Sequence, residues 1–253
     1  YHAGILTRDL WSSPDGINWT LISENTPYDG YCEMAVFKDR IWAIKNTIWS
    51  SADGKEWRKE RDESPFGGRG YGELIVHNAK LWQLGSGKDV WNSDDGVTWT
   101  QVADDTPYGA RSATGVASFN GKLWILGGRI VQKNEPVEKG YPDYTTLNDV
   151  WSSEDGKNWT RVSEHAPWAP RMWSISEVYD NKLWVIGGYS NVNHENLGDV
   201  WYTEDGTNWH EFGSEPSFSA RHEPTTYVFK NSLWVVAGNS WPVLNDVWRL
   251  TLP

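Results

Sequence analysis

Residues 121–171 read GKLWILGGRIVQKNEPVEKGYPDYTTLNDVWSSEDGKNWTRVSEHAPWAPR. This stretch holds a Leu-Trp segment that ends in two glycines, an apolar segment ending at Trp151, an Asp155-Gly156 pair, and Trp159 eight residues after Trp151. The pattern recurs along the chain as LWSSPDGINWT, IWSSADGKEWR, VWNSDDGVTWT, VWSSEDGKNWT and VWYTEDGTNWH. Its leading tryptophans are Trp11, Trp49, Trp91, Trp151 and Trp201, with Trp248 closing the series in NDVWRL. The second tryptophan of each copy is Trp19, Trp57, Trp99, Trp159 or Trp209, and a third set, Trp42, Trp82, Trp124, Trp184 and Trp234, sits in the Leu-Trp-like segments. Sixteen of the 19 tryptophans thus fall in one repeating frame, so they read as packing residues.

Each segment reads as a strand. The runs are short, rich in apolar and aromatic residues, and punctuated by Gly or Asp-Gly, whose glycine accepts the positive φ of a hairpin turn. A further strand precedes each Leu-Trp segment, as in ATGVASFNGK and SISEVYDNK. Four strands per repeat predict an all-β fold, a β-propeller of four-stranded blades, with residues 1–253 as a single domain. The net charge of −11 argues against nucleic-acid and anionic-membrane partners, which need basic patches. No apolar run approaches the roughly 20 residues of a membrane span. One cysteine, Cys32, excludes an internal disulfide framework or a multi-cysteine metal site. The start at Tyr1, without methionine or a signal-like segment, reads as a processed or trimmed end.

The string from Gly121 to Arg171 resembles the bacterial kelch repeat related to the galactose oxidase propeller. The resemblance covers nearly the whole chain. It is most specific in the third and fourth repeats and weaker in the first two, where IWAIKN and LWQLGSG lack the double glycine. It implies a bacterial, secreted protein, extracellular or periplasmic. The Ser-x-Asp-Gly-x-x-Trp turn is similar to the Asp-box of sialidases but one residue shorter, so sialidase chemistry does not carry over. The copper chemistry of galactose oxidase requires two tyrosines, two histidines and a Tyr–Cys thioether. Cys32 adjoins Tyr31, but neighbours on a strand point to opposite sides, and the only adjacent Tyr-His pair is Tyr1-His2. Neither a cofactor nor a metal is expected.

Counting strands outward from the propeller axis gives five first, five second, six third and five fourth strands. The expectation is a six-bladed propeller with an incomplete first blade, which a partner chain would complete; a five-bladed ring with a spare strand is the alternative. From the Leu-Trp tryptophan to the next third-strand tryptophan the spacing is 7, 9, 27, 17 and 14 residues, so length varies almost wholly in the loop between second and third strands. Variable loops on a rigid scaffold are where sites are usually built. The longest runs from Gly128 to Asn148 and carries Lys133, Glu135, Glu138, Lys139, Tyr141, Asp143 and Tyr144.

Three groups of residues are candidates for a site on that face. Trp168, Trp173 and Trp241 lie outside the repeat frame and are expected together there as an aromatic shelf. Arg69, Arg111, Arg171 and Arg221 open successive first strands, where they either bind a carboxylate or sulfate or serve the carbonyls of inter-blade loops. Glu33, Glu73 and Glu223, with His222, are the acid/base candidates near the axial channel. With Asp29 at the arginine position of the first blade, the two rows that follow are Tyr31, Tyr71, Ala113, Trp173 and Glu223, then Glu33, Glu73, Gly115, Ile175 and Thr225. These residues suit a binding or interaction module for a glycan or protein partner. The alternative is an enzyme acting on an acidic sugar, similar to kelch-type sialic acid epimerases, with the arginines holding a carboxylate. A purely structural subunit is the third reading.

Overall fold

The repeats fold into 21 strands, with no helix among the described residues, in a computed structural model that describes residues 8–131, 144–213 and 218–252. An N-terminal hairpin pairs β1 (Leu10–Ser12) with β2 (Thr20–Ser23). The first full blade is β3 (Glu33–Phe37), β4 (Arg40–Ile44), β5 (Ile48–Ser51) and β6 (Trp57–Arg61). The second is β7 (Glu73–His77), β8 (Lys80–Leu84), β9 (Val90–Ser93) and β10 (Trp99–Ala103). The third is β11 (Gly115–Phe119), β12 (Lys122–Val131), β13 (Tyr144–Ser153) and β14 (Thr160–Ser163). The fourth is β15 (Ile175–Tyr179), β16 (Lys182–Ser190), β17 (Glu195–Thr203) and β18 (Trp209–Glu211). The last is β19 (Thr225–Val228), β20 (Leu233–Gly238) and β21 (Leu244–Leu250). Within each sheet the strands pair antiparallel in chain order.

What holds blade to blade is a tryptophan on a glycine. The Leu-Trp tryptophan of one blade lies over the Asp-Gly turn of the next: a Cβ on Gly96 would meet the Trp42 ring at 2.4 Å, on Gly156 the Trp82 ring at 2.4 Å, and on Gly206 the Trp124 ring at 2.0 Å. These glycines also have φ near +80° (81, 72 and 81°), so both backbone and packing require them. Each such tryptophan donates its indole N–H to the carbonyl five residues earlier, as Trp124 does to Phe119 at 2.9 Å. The core is therefore a set of inter-blade clusters rather than one central mass; Trp82, Val116, Ile125, Trp151 and Trp159 form one of them.

Five blades carry inner strands, the count of the five-bladed alternative, and the inner strands β3, β7, β11, β15 and β19 follow one another around the axis. The six-bladed expectation is met only by the β1–β2 hairpin, an outer pair without inner strands that bonds to neither β21 nor β3 among the described residues. Its place is legible from the same contact rule. Gly16 of the hairpin sits under Trp234 of the last blade, a Cβ there meeting the ring at 2.7 Å. Gly54 of the first full blade has only Leu10 and Ile41 near it, at 3.6 and 3.7 Å, where its counterparts have a tryptophan.

The long 128–148 loop is shorter than its spacing suggests. Arg129, Ile130 and Val131 pair with Thr146, Thr145 and Tyr144, so second and third strands extend into a tall hairpin. Lys133, Glu135, Glu138, Lys139, Tyr141 and Asp143 lie outside the described residues. Among the described residues, no helix is long and apolar enough to cross a membrane.

Candidate functional site: the axial mouth

Two residues after each arginine position the backbone turns into the left-handed region: Tyr31, Tyr71, Ala113, Trp173 and Glu223 have φ of 57, 61, 55, 54 and 52°. Such a conformation costs a non-glycine residue about 1–2 kcal/mol. A belt of inter-blade hydrogen bonds offsets it: Ala113 N–H donates to Tyr71 O at 3.0 Å, Trp173 to Ala113 O at 3.1 Å, and Glu223 to Trp173 O at 3.0 Å. The strained row is thereby fixed around the mouth.

The arginine row is not part of the ligand surface, a correction to its candidacy. Arg69 makes a bidentate pair with Asp89, Arg111 with Asp149 (2.8 and 3.0 Å), Arg171 with Asp199 (2.9 and 2.7 Å) and Arg221 with Asp246 (2.5 and 2.9 Å). Each also donates to a carbonyl of the inter-blade loop, those of Ser86, Gly127, Gly187 and Ala237 respectively. The same aspartate accepts the third-strand indole, as Asp199 does from Trp201 at 2.7 Å. The Arg171 and Arg221 side chains are wholly buried. The hydrogen bonds from Arg221 hold the Asp246 carboxyl down to about 2. A guanidinium spent on a carboxylate and two carbonyls has nothing left for a ligand.

The off-frame tryptophans do not form the expected shelf. Trp168 is 1% exposed and packs edge-on against Trp209 at 6.0 Å, filling the core between blades. Trp241 is 69% exposed and outside the walls of the axial cavity. Only Trp173 reaches the mouth.

There it joins Tyr31 and Tyr71, which sequence position placed in one row without marking them as ligand residues. Ring centroids are 6.4 Å apart for Tyr31–Tyr71 and 5.9 Å for Tyr71–Trp173, an aromatic arc along a cavity of about 500 Å³. Glu33, Glu73 and Glu223 also line this cavity. Behind the arc lies Arg129 of the tall β12–β13 hairpin, its guanidinium 5.1 Å from the Tyr71 ring, 5.0 Å from Trp173 and 3.9 Å from Tyr144. Its Nε donates to Ser112 Oγ at 3.0 Å. Arg129 makes the arc rigid by cation–π contact on several rings.

The carboxyls are tuned by their surroundings. Burial, reinforced by the charge of Glu73, pushes Glu33 up to about 8; burial, reinforced by Glu177, pushes Glu73 up to about 7. Burial raises Glu223 as well, against the pull of Arg129. His222 departs from its acid/base candidacy: its ring stacks on Trp173 at 5.1 Å, Nδ1 is 2.6 Å from Asn196 Oδ1, and burial lowers it to about 4, so it is neutral and stands outside the cavity walls. His165 lies at the surface with Nδ1 3.1 Å from Asn148 Oδ1. No group of three metal-ligating side chains exists among the described residues.

No protein-family model matches the chain, and no curated protein matches it in sequence. Among solved structures the fold is shared. The structure of YjhT aligns with a TM-score of 0.73 over 97% of this chain and 89% of that one, at 13% identity. At that identity the likeness is one of fold. The chain is a β-propeller.

Proposed function

We propose that the protein is a binding module of the kelch type that takes a glycan in its axial mouth. The observation that carries this reading is the arc of Tyr31, Tyr71 and Trp173 beside Glu33, Glu73 and Glu223 around one cavity. Aromatic faces stack on the C–H faces of a sugar ring, and carboxyls accept from or donate to its hydroxyls, depending on protonation. A pocket with apolar walls and a few convergent polar groups is the usual form of a small-ligand site. The fold shared with YjhT supports a propeller scaffold and does not bear on the ligand. An acidic-sugar enzyme loses its main support, since the four arginines that were to hold the carboxylate are paired with aspartates.

A glycan array probed with wild type and with Trp173→Ala tests the reading. The expected result is a defined set of glycans bound by wild type and lost in the variant. An array with no hit for the folded wild type contradicts it.

A further inference from the structure

Four arginines are buried among the described residues, and one of them holds no carboxylate. Arg111, Arg171 and Arg221 each pair with an aspartate, whereas Arg129, 9% exposed, forms no ion pair with any described residue. A guanidinium cannot shed its proton to escape burial, so a buried one without a counter-charge is costly. Nor does the repeat need an arginine there. The equivalent positions in the two following blades are Tyr189 and Asn239. All three residues make the same reciprocal backbone bonds, with Ser112, Met172 and His222 respectively.

Tyr71, Tyr144 and Trp173 pack around the guanidinium, but its N–H donors lie in its plane, and only Nε–H is used, by Ser112 Oγ. The Nη donors meet no acceptor among the described residues, and they keep contact with solvent. Tyr71 and Trp173 line the axial cavity, so this edge of Arg129 stands at its rim. The buried indole N–H of Trp173 is a further donor without an acceptor. Charge favours the same sign of ligand. Glu223 feels Arg129, which draws its raised carboxyl down, yet no ion pair joins the two. At pH 6 burial keeps Glu33 and Glu73, raised to about 8 and about 7, mostly protonated. Lys45 stands at the other end of the arc, with Nζ 5.9 Å from the Tyr31 ring. The net charge of −11 opposes an anion at long range, but salt screens it beyond about 8 Å.

We propose that the open edge of Arg129, at the rim beside Tyr71 and Trp173, binds an oxyanion, so that the glycan stacked on the arc carries a carboxylate or a sulfate ester. The planar fork of donors matches two oxygens of such a group at once. A hydroxyl offers one oxygen and leaves the charge unanswered. The rings around the guanidinium exclude water beside it, which strengthens the pairing at its edge. This inference rests on the glycan reading.

The test is calorimetric titration at pH 6 of wild type, Arg129→Gln and Arg129→Lys with oligomers of galacturonic acid, of sulfated galactose and of galactose. The expected result is at least tenfold tighter binding of one acidic oligomer than of the neutral one by wild type, and the oligomer preferred names the anion. Arg129→Gln should bring that preference below twofold. Arg129→Lys, which keeps the charge between the rings but not the fork, should reduce it at least threefold. The ratio is the readout, because loss of a merely structural support weakens acidic and neutral oligomers alike. Equal binding of the three by wild type, or a preference unchanged in either folded variant, overturns the oxyanion assignment and leaves the glycan reading standing. No binding of any of the three overturns the oxyanion assignment, and with an empty glycan array the glycan reading falls too.

Discussion

In four of the five blades an opening arginine pairs with an aspartate at or just before the third strand of the same sheet, and that pair fixes where the blade begins. Arg171 is wholly buried, its guanidinium shared between Asp199, Gly187 O and Ala169 O. Arg171→Ala leaves a carboxylate and two carbonyls without their donor and is expected to cost about 3–5 kcal/mol, read as a lower midpoint in urea unfolding. A stability loss below 1 kcal/mol would return this row to the pool of ligand residues. Glu33 carries the opposite kind of linkage. Its carboxyl is raised from 4.5 to about 8, so the folded state holds a proton that the unfolded state releases, and stability falls as pH rises from about 4.5 through 8. Glu33→Gln is expected to flatten the melting temperature across that window and to melt higher than wild type at pH 9. Identical pH profiles for the two proteins would show that the carboxyl is not raised.

At the scale of the element, the recurring unit is a strand, a turn and a ring lying on the turn. Gly206 has φ of 81° and faces the Trp124 ring, whereas Gly121 has φ of 71° with open space around it. Gly121→Ala should cost about 1–2 kcal/mol for the backbone alone. Gly206→Ala adds a clash with a packed indole and should cost about 2–5 kcal/mol. Equal losses in thermal or chemical unfolding would contradict the stacking of Trp124 on Gly206. These elements were legible in the sequence because each depends on local grammar: Asp-Gly for the turn, Leu-Trp for the second strand, and a fixed interval of eight between tryptophans. The left-handed row was not, because Tyr31, Tyr71, Ala113, Trp173 and Glu223 share a backbone conformation and no residue type. Only alignment by position brings them into one row, and only the belt of hydrogen bonds explains it. The extension of β12 and β13 was hidden for a similar reason, since length variation in a loop and a lengthened hairpin look alike in spacing.

Across the whole molecule, the repeat sets the ring and the departures from the repeat set the site. The mouth is built where the blades differ: Tyr, Tyr, Ala, Trp and Glu in one row, and Glu33 and Glu73 in the next. Departure alone was an incomplete guide. Trp168 departs from the frame and fills the core, and Trp241 departs and stands at the surface, because a residue's place around the axis is decided by the blade that carries it. Arg129 carried no mark in the sequence; its role comes from a hairpin that lifts it behind Tyr71 and Trp173. The central claim is that this axial mouth, and not the exposed loops, binds ligand. The direct measurement is calorimetric affinity for one array-identified glycan in wild type, Trp173→Ala and Trp241→Ala. The expected result is at least a tenfold loss in Trp173→Ala, about 1.4 kcal/mol, with Trp241→Ala unchanged although that ring is the more exposed of the two. Loss of affinity in Trp241→Ala with Trp173→Ala unaffected would contradict the account.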